Sequence, residues 1–159
     1  GSGKSTIADR VSQTLLDEGR VHAVLDGDNL RTGINRDLGF TPEDRVENIR
    51  RTAEVAALMA DAGLVVIVSL ISPYRQDRQQ ARDIVGSHRF QEVFVSTALD
   101  VCEKRDPKGL YSKARKGEIP NFTGVNAPYE EPAAPDLTLD GARPLEELVS
   151  EAIAVIHGN

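Results

Sequence analysis

The chain has 159 residues, 40% of them hydrophobic, which is enough for one soluble domain with a single core. No apolar run approaches the roughly 20 residues that cross a bilayer, so we expect no interaction with a membrane. The net charge of −6 argues against a nucleic-acid partner, and the single cysteine, Cys102, excludes an internal disulfide and fits a reducing, cytoplasmic setting.

The chain begins with GSGKST, the second half of the phosphate-binding motif G-x-x-x-x-G-K-[ST]. Gly3 permits a turn that directs backbone N–H groups at phosphate oxygens, Lys4 can reach the β- and γ-phosphates, and the Ser5 hydroxyl suits Mg²⁺. A helix predicted over 5–17 adds the positive end of its dipole. The alternative is a chance match at a flexible terminus, but the helix that the motif requires follows at once.

Short apolar runs alternate with helical patterns along the rest of the chain, which indicates a parallel α/β sheet. The predicted strands are 22–25, 64–70, 91–96 and 136–139, and the predicted helices are 5–17, 42–62, 73–85, 100–105, 108–116 and 144–157. The run 64–70 is continuous and β-branched, as is typical of a strand buried on both faces. Thr41-Pro42 and Ser72-Pro73 each predict a helix N-cap followed by a proline at the first helical position.

We therefore expect one domain over 1–159, with a P-loop NTPase-type parallel sheet flanked by helices. The motif also requires a central strand before the phosphate loop, and that strand would precede residue 1 in a longer protein. Residues 108–135 are rich in charged residues, Gly and Pro, and are too long for a plain connector. They suit a mobile lid that closes on phosphates, and the alternative is a solvated surface loop.

Polar residues follow two of the predicted strands, where ligands of open α/β sheets bind. Asp26 and Asp28 flank Gly27, and either carboxylate could hold metal-bound water or accept a proton from an attacking hydroxyl. The alternative is an Asp-Gly turn with a helix cap. Ser72 could cap the next helix, and the same helix N-terminus could also bind an anion.

Two further pairs indicate a second ligand. Arg45 and Asn48 share one helix face, where an arginine fork and an amide suit a phosphate or sulfate, although alternating charges could also form an ordinary solvated face. Phe40 and Phe122 lie in polar, Gly- and Pro-flanked loops of a chain with four Phe and no Trp. They could stack on a planar ring or simply pack the loops onto the domain.

These blocks together resemble one family. The segments GSGKST, DGDNLRTGINRDLGF, DRVENIRR, SLISPYR, RDPKGLYSKARKGEIPNFTGVNAPYEEP and DLTLD closely resemble adenylyl-sulfate kinase, in order and over nearly the whole chain. The resemblance implies transfer of the ATP γ-phosphoryl group to the 3′-hydroxyl of adenosine 5′-phosphosulfate (APS), with Mg²⁺, in sulfate assimilation.

The resemblance also assigns roles to residues. It implies ATP binding by Gly1, Ser2, Gly3, Lys4, Ser5, Thr6 and Arg105, and Mg²⁺ binding by Ser5 and Asp26. It implies APS binding by Asp26, Asp28, Arg31, Phe40, Arg45, Asn48, Ile71, Ser72, Lys108 and Phe122, with the two phenylalanines sandwiching the adenine. The catalytic candidates are Lys4, Asp28 and Ser72. Ser72 matches a serine described in the family as a phosphoserine intermediate, whereas direct in-line transfer requires only positioning and charge neutralisation.

As partners we expect a second copy in a homodimer and a fusion to, or complex with, an ATP sulfurylase subunit. Two rival functions are weighed against this one. Another small P-loop kinase, acting on a nucleoside monophosphate or a metabolite, would not need the aromatic pair beside Arg45 and Asn48. A non-catalytic regulatory module would be expected to lose the phosphate loop, which this chain keeps.

Overall fold

The computed structural model describes residues 1–158, in which helices and strands alternate; Asn159, the last residue of the predicted domain, lies outside them. In chain order the elements are α1 (Lys4–Asp17), β1 (His22–Asp26), α2 (Gly27–Thr32), α3 (Pro42–Asp61), β2 (Val65–Ser69), α4 (Arg75–Val85), β3 (Val93–Val95), α5 (Leu99–Arg105), α6 (Leu110–Arg115), β4 (Leu137–Leu139) and α7 (Leu145–His157). None of the helices in the described part of the chain is long and apolar enough to cross a membrane.

The strands form two parallel pairs. β1 pairs with β2 in a register that sets Asp26 opposite Ser69, and β3 pairs with β4 so that Val95 lies opposite Leu139. The parallel arrangement predicted from the alternating pattern is therefore confirmed. Because β1 and β2 end at the same edge, the polar segments that follow them emerge close together.

An apolar cleft of about 1450 Å³ lies between the two pairs and is lined by residues of both β2 and β3. Val68 of β2 and Val93 of β3 are 44% and 41% exposed. The prediction that 64–70 is buried on both faces is wrong, because the cleft runs along β2. The β-branched run is nevertheless a strand, as its composition predicted.

The main core lies between α1, α7 and β4. Leu15, Leu139 and Leu148 are almost completely buried there, beside Ile7 and Val11 of α1. Each fully buried leucine stabilises the fold by about 2 kcal/mol through the hydrophobic effect. This packing fixes α1, and with it the phosphate loop at its N-terminus.

The two predicted proline-marked helix starts have different outcomes. Thr41 caps α3, because its Oγ1 accepts a hydrogen bond from the Asp44 backbone N–H at 3.2 Å. The predicted start at Pro73 is wrong, since α4 begins at Arg75 and its N-cap residue is Tyr74. Pro73 is instead fully buried ahead of the helix, so Ser72 does not act as a cap.

One helix was missed by the sequence reasoning. The segment weighed as an Asp-Gly turn forms α2, a helix of six residues. Asp26 caps it, because its Oδ1 accepts a hydrogen bond from the Asp28 backbone N–H at 2.9 Å. The cap that was considered as an alternative to a metal site is thus present.

Candidate active site

The phosphate loop is held by backbone packing at its first residues. Gly3 adopts a left-handed conformation (φ 98°) as the N-cap of α1, which an L side chain would strain. A Cβ at Gly1 would lie 2.6 Å from the Cys102 carbonyl oxygen, and Thr97 Oγ1 donates a hydrogen bond to the Ser2 carbonyl at 2.7 Å. The loop is therefore fixed from the side of α5 and β3.

Lys4 is the first residue of α1, and its side chain stays close to the phosphate loop. Its Nζ donates a hydrogen bond to Ser2 Oγ at 3.2 Å. Burial lowers the pKa of Lys4, while the carboxylates of Asp26 and Asp28 oppose that effect. A partly desolvated ammonium group of this kind attracts a phosphate oxygen strongly.

The end of β1 meets the start of α1 at Asp26. Its Oδ2 accepts a hydrogen bond from Ser5 Oγ at 3.1 Å, while its Oδ1 caps α2. A hydroxyl and a carboxylate side by side are oxygen ligands of the kind that Mg²⁺ prefers. The structure thus brings together the two residues that the resemblance assigns to the metal.

Asp28 forms an ion pair with Lys108, at the beginning of the predicted lid. The hydrogen bond to Asp28 raises the pKa of Lys108. Both side chains are largely exposed, so the pair is open to exchange with solvent and ligands. Asp28 and Lys108 were predicted to serve the same substrate, and the structure places them in contact.

The predicted acceptor residues form a cationic and aromatic cluster. Arg31 donates a hydrogen bond to the Gly39 carbonyl at 2.6 Å, and its guanidinium lies 4.3 Å from the centroid of the Phe40 ring. The Arg45 guanidinium lies 5.7 Å from the same centroid. Burial lowers the pKa of Arg45, and the neighbouring Arg31 charge lowers it further. Two cations held this close favour an anionic ligand.

Arg45 also reaches the lid. Its guanidinium donates a hydrogen bond to the Asn121 carbonyl at 2.8 Å, next to Phe122. The Phe122 ring packs edge-on against Tyr111, with centroids 4.9 Å apart, whereas Phe40 is 56% exposed. Arg45 therefore links the loops that carry the two predicted stacking residues, although each ring has its own protein contact.

Asn48 lies one helical turn from Arg45 and is buried. Its Oδ1 accepts a hydrogen bond from Asn35 Nδ2 at 3.0 Å, and its backbone carbonyl accepts one from Thr52 Oγ1 at 2.6 Å. Arg45 and Asn48 are both buried and lie three residues apart on α3, as residues on one helix face do.

The segment of Ile71 and Ser72 is held by a residue that the sequence reasoning missed. Arg78 is buried and donates hydrogen bonds to the carbonyl oxygens of Ser72 and Glu130, the second at 2.7 Å. It also forms an ion pair with Glu92 at 2.7 Å. Arg78 thus ties the segment after β2 to the end of the lid, while Ile71 remains 39% exposed.

Arg105 lies at the end of α5 and connects the phosphate loop to the segment after β4. It donates a hydrogen bond to the Gly141 carbonyl at 2.9 Å, and its guanidinium approaches Gly3. Gly141 packs against Thr97 and the Ser2 carbonyl so tightly that a Cβ would collide with both. The predicted donor residues are therefore adjacent to the loop after β4, which the sequence reasoning did not single out.

Comparisons with known proteins bear on the family and the fold of this chain. A sequence model of the family described as adenylylsulphate kinase matches residues 1–140. A probable adenylyl-sulfate kinase of Bacillus subtilis (strain 168) is 58% identical over 143 residues, which cover 90% of this chain and 73% of that protein. The bifunctional enzyme NodQ of Rhizobium tropici is 61% identical over 139 residues, which cover 87% of this chain and 22% of that protein.

The fold is similar to that of a solved structure, the Mycobacterium tuberculosis APS kinase CysC in complex with AMPPNP and APS. The TM-score is 0.95, with 50% identity, over 99% of this chain and 92% of that one. This likeness confirms the predicted α/β kinase fold. On its sequence and its structure alike, the chain belongs to the adenylylsulphate kinase family.

Proposed function

We propose that this chain transfers the γ-phosphoryl group of ATP to the 3′-hydroxyl of APS. The observation that carries the proposal is the meeting of two sites at one edge of the sheet. The phosphate loop contacts the end of β1 where Ser5 donates a hydrogen bond to Asp26, and Asp28 is joined to the lid by Lys108. The cationic and aromatic cluster of Arg31, Phe40 and Arg45 follows α2 directly.

The donor half comprises the phosphate loop and Arg105. Backbone N–H groups of a glycine-rich loop and the N-terminus of α1 cradle phosphates, and Lys4 neutralises charge on the transferred group. Arg105 is held on the Gly141 carbonyl, and its guanidinium approaches the phosphate loop at Gly3. We assign ATP to Gly1, Ser2, Gly3, Lys4, Ser5, Thr6 and Arg105.

Mg²⁺ fits the donor half, because Ser5 Oγ and Asp26 Oδ2 are adjacent oxygen ligands. When bound there, the cation would neutralise phosphate charge. Asp26 also holds the Asp28 backbone N–H, so the same carboxylate that would hold the cation positions the neighbouring one. We assign the metal to Ser5 and Asp26.

The acceptor half offers charge for the phosphosulfate and rings for the adenine. Arg31, Arg45 and Asn48 present donors to anionic oxygens, while Phe40 and Phe122 supply faces for stacking. We assign Ile71 and Ser72 to the same half of the site, as the resemblance to the family implies. Asp28 accepts the hydrogen bond, and then the proton, of the attacking 3′-hydroxyl, and Lys108 moves from Asp28 to the phosphates as the lid closes.

We assign Ser72 to the pocket and not to a covalent step. Its carbonyl is held by Arg78, and phosphoryl transfer between bound substrates needs alignment and charge neutralisation, not a phosphoserine.

A coupled assay of ADP release from the full-length protein tests the proposal. We expect ADP release that depends on both ATP and APS. Release that depends on a nucleoside monophosphate instead would support the rival kinase, and nucleotide binding without any ADP release would support the regulatory module. Either result would refute the proposal.

We further propose that a fifth parallel strand, from polypeptide preceding Gly1, fills the apolar cleft between β2 and β3. The support is the exposed Val68 and Val93 at two strands whose facing edges line that cleft. The remaining expectations from the resemblance are a cytoplasmic homodimer and a fusion to, or complex with, an ATP sulfurylase subunit. Light scattering of the purified protein measures the dimer directly.

A further inference from the structure

Asn35 is a polar residue buried completely in the segment between α2 and Phe40. Its backbone is fixed on both sides, because its N–H donates to the Leu30 carbonyl at 2.9 Å and its own carbonyl accepts from the Leu38 N–H at 3.1 Å. Its side-chain amide points at α3, where Nδ2 donates to Asn48 Oδ1. The buried side chain of Asn35 thus connects the segment after α2 to α3, and both belong to the proposed acceptor half.

The contact determines which half of the Asn48 amide is available to a ligand. An amide group is planar, with oxygen and nitrogen on opposite sides, so a hydrogen bond to Oδ1 leaves the Nδ2 donors for another partner. Arg31 and Arg45 present positive charge in the same half of the site. If Nδ2 of Asn48 faces the ligand, its N–H groups add to the positive potential of the two arginines. Oδ1 in the same place would repel anionic oxygens.

The oxygen of the Asn35 amide indicates that the residue has a role other than stabilising the fold. Its Oδ1 is buried without a hydrogen-bond partner among residues 1–158. An unpaired buried acceptor weakens the folded state, and a leucine at this position would avoid that cost. Stability alone therefore does not explain an asparagine here, whereas the bond to Asn48 does.

We propose that Asn35 is a positioning residue that sets the orientation of the Asn48 amide, so that Asn48 presents a donor to the anionic part of APS. The proposal rests on the proposed function, because it takes the acceptor to be APS. Asn35 acts through Asn48 and has no contact with the reacting atoms.

Asn35→Leu in the full-length protein tests this role. We expect the KM for APS to rise about tenfold, the loss of one hydrogen bond to a charged group, with the KM for ATP unchanged. We expect the melting temperature to change little, because the variant removes one unpaired buried acceptor, Asn35 Oδ1, and leaves another, Asn48 Oδ1. Gln79→Ala, which removes an exposed amide bond to Asp83 elsewhere, is the matched control and should change neither KM.

A double-mutant cycle with Asn48→Ala distinguishes positioning from general support. In the Asn48→Ala background, Asn35→Leu should add less than about a twofold change in the KM for APS, because its target is gone. Full additivity of the two effects would overturn the positioning role while leaving the proposed function intact. Absence of APS-dependent ADP release in the unmodified protein would overturn both.

A spectroscopic readout is independent of turnover. The side-chain amide signals of Asn48 in a ¹⁵N–¹H spectrum should shift on Asn35→Leu in the ligand-free protein, since Oδ1 loses its donor. Unchanged Asn48 signals would overturn the proposal even if the KM for APS rose.

Discussion

At the scale of single residues, Asp26 has two roles, a helix cap and a proposed metal ligand, and substitutions can separate them. One oxygen caps α2 and the other accepts from Ser5. The first duty needs any good capping side chain, whereas the proposed metal site needs a negative charge. Structure and chemistry therefore make different demands on the same carboxylate.

Asp26→Asn keeps the cap and removes the charge. We expect kcat to fall by a factor of about 100 or more, with an unchanged melting temperature, since Asn and Asp cap helices equally well. Asp26→Ala should lose the cap too, at a cost of about 1 kcal/mol in the free energy of unfolding. Equal melting temperatures for the two variants would contradict the capping role.

The two loop phenylalanines give a second prediction at this scale. Phe122→Ala should raise the KM for APS by about tenfold through loss of base stacking, and leave the KM for ATP almost unchanged. Phe122 also contacts Tyr111, so the melting temperature of the variant is measured alongside. Equal effects on both KM values would refute the stacking clamp.

At the scale of elements, α3 and α4 start in different ways although each is preceded by a Ser/Thr-Pro pair. Thr41 caps α3 through its hydroxyl, whereas Ser72 lies ahead of α4 and is held by Arg78 through its carbonyl. Local sequence does not distinguish the two cases. Ser72 is held by Arg78, whose other partners, Glu92 and Glu130, lie in loops far along the chain.

Thr41→Ala and Ser72→Ala should therefore differ in stability. We expect Thr41→Ala to lose about 1 kcal/mol of unfolding free energy, and Ser72→Ala to lose much less, because no helix depends on its hydroxyl. Ser72→Ala should also retain substantial turnover. Complete loss of turnover would revive the phosphoserine intermediate.

A third element-scale prediction concerns pH. Arg50 and Arg51 on α3 lower the pKa of Glu47 to about 2, mainly through hydrogen bonds. The pKa of Glu47 in the folded state is therefore below its unfolded value of about 4.5. The charged carboxylate stabilises the fold at a pH above that value, and this contribution is lost as the pH falls toward 2. Glu47→Gln should remove that part of the acid sensitivity, most visibly at low salt. If the unmodified protein and Glu47→Gln had identical pH profiles of the melting temperature between pH 5 and about 2, the stabilising role of the Glu47 carboxylate would be contradicted.

At the scale of the whole molecule, the two strand pairs face one cleft. If a further strand fills it, the backbone amides of β2 and β3 should exchange hydrogen slowly in the longer protein and much faster in residues 1–159 alone. The β1 amides, which lie away from the cleft, provide an internal control. Equal exchange at β2 and β3 in both forms would refute the five-stranded sheet.

Much of this molecule was predictable from its sequence, for identifiable reasons. The strands and long helices follow hydrophobic period, and the end of β1 follows from Asp26-Gly27, so Asp26 and Ser5 could be placed together in advance. The helix α2 has only six residues, too few for a periodic signal. The sequence around Asn35 gives no sign of its proposed role either, because that role depends on a contact with Asn48, which lies on α3.

Gly141 has a consequence for the proposed ATP-binding half of the site. Backbone and short side chains lock the loop after β4 against Thr97 and Ser2, and Arg105 is held on that same loop. A Cβ at position 141 would collide with both Thr97 and the Ser2 carbonyl, so even an alanine there would disturb the phosphate loop and the anchor of Arg105 together.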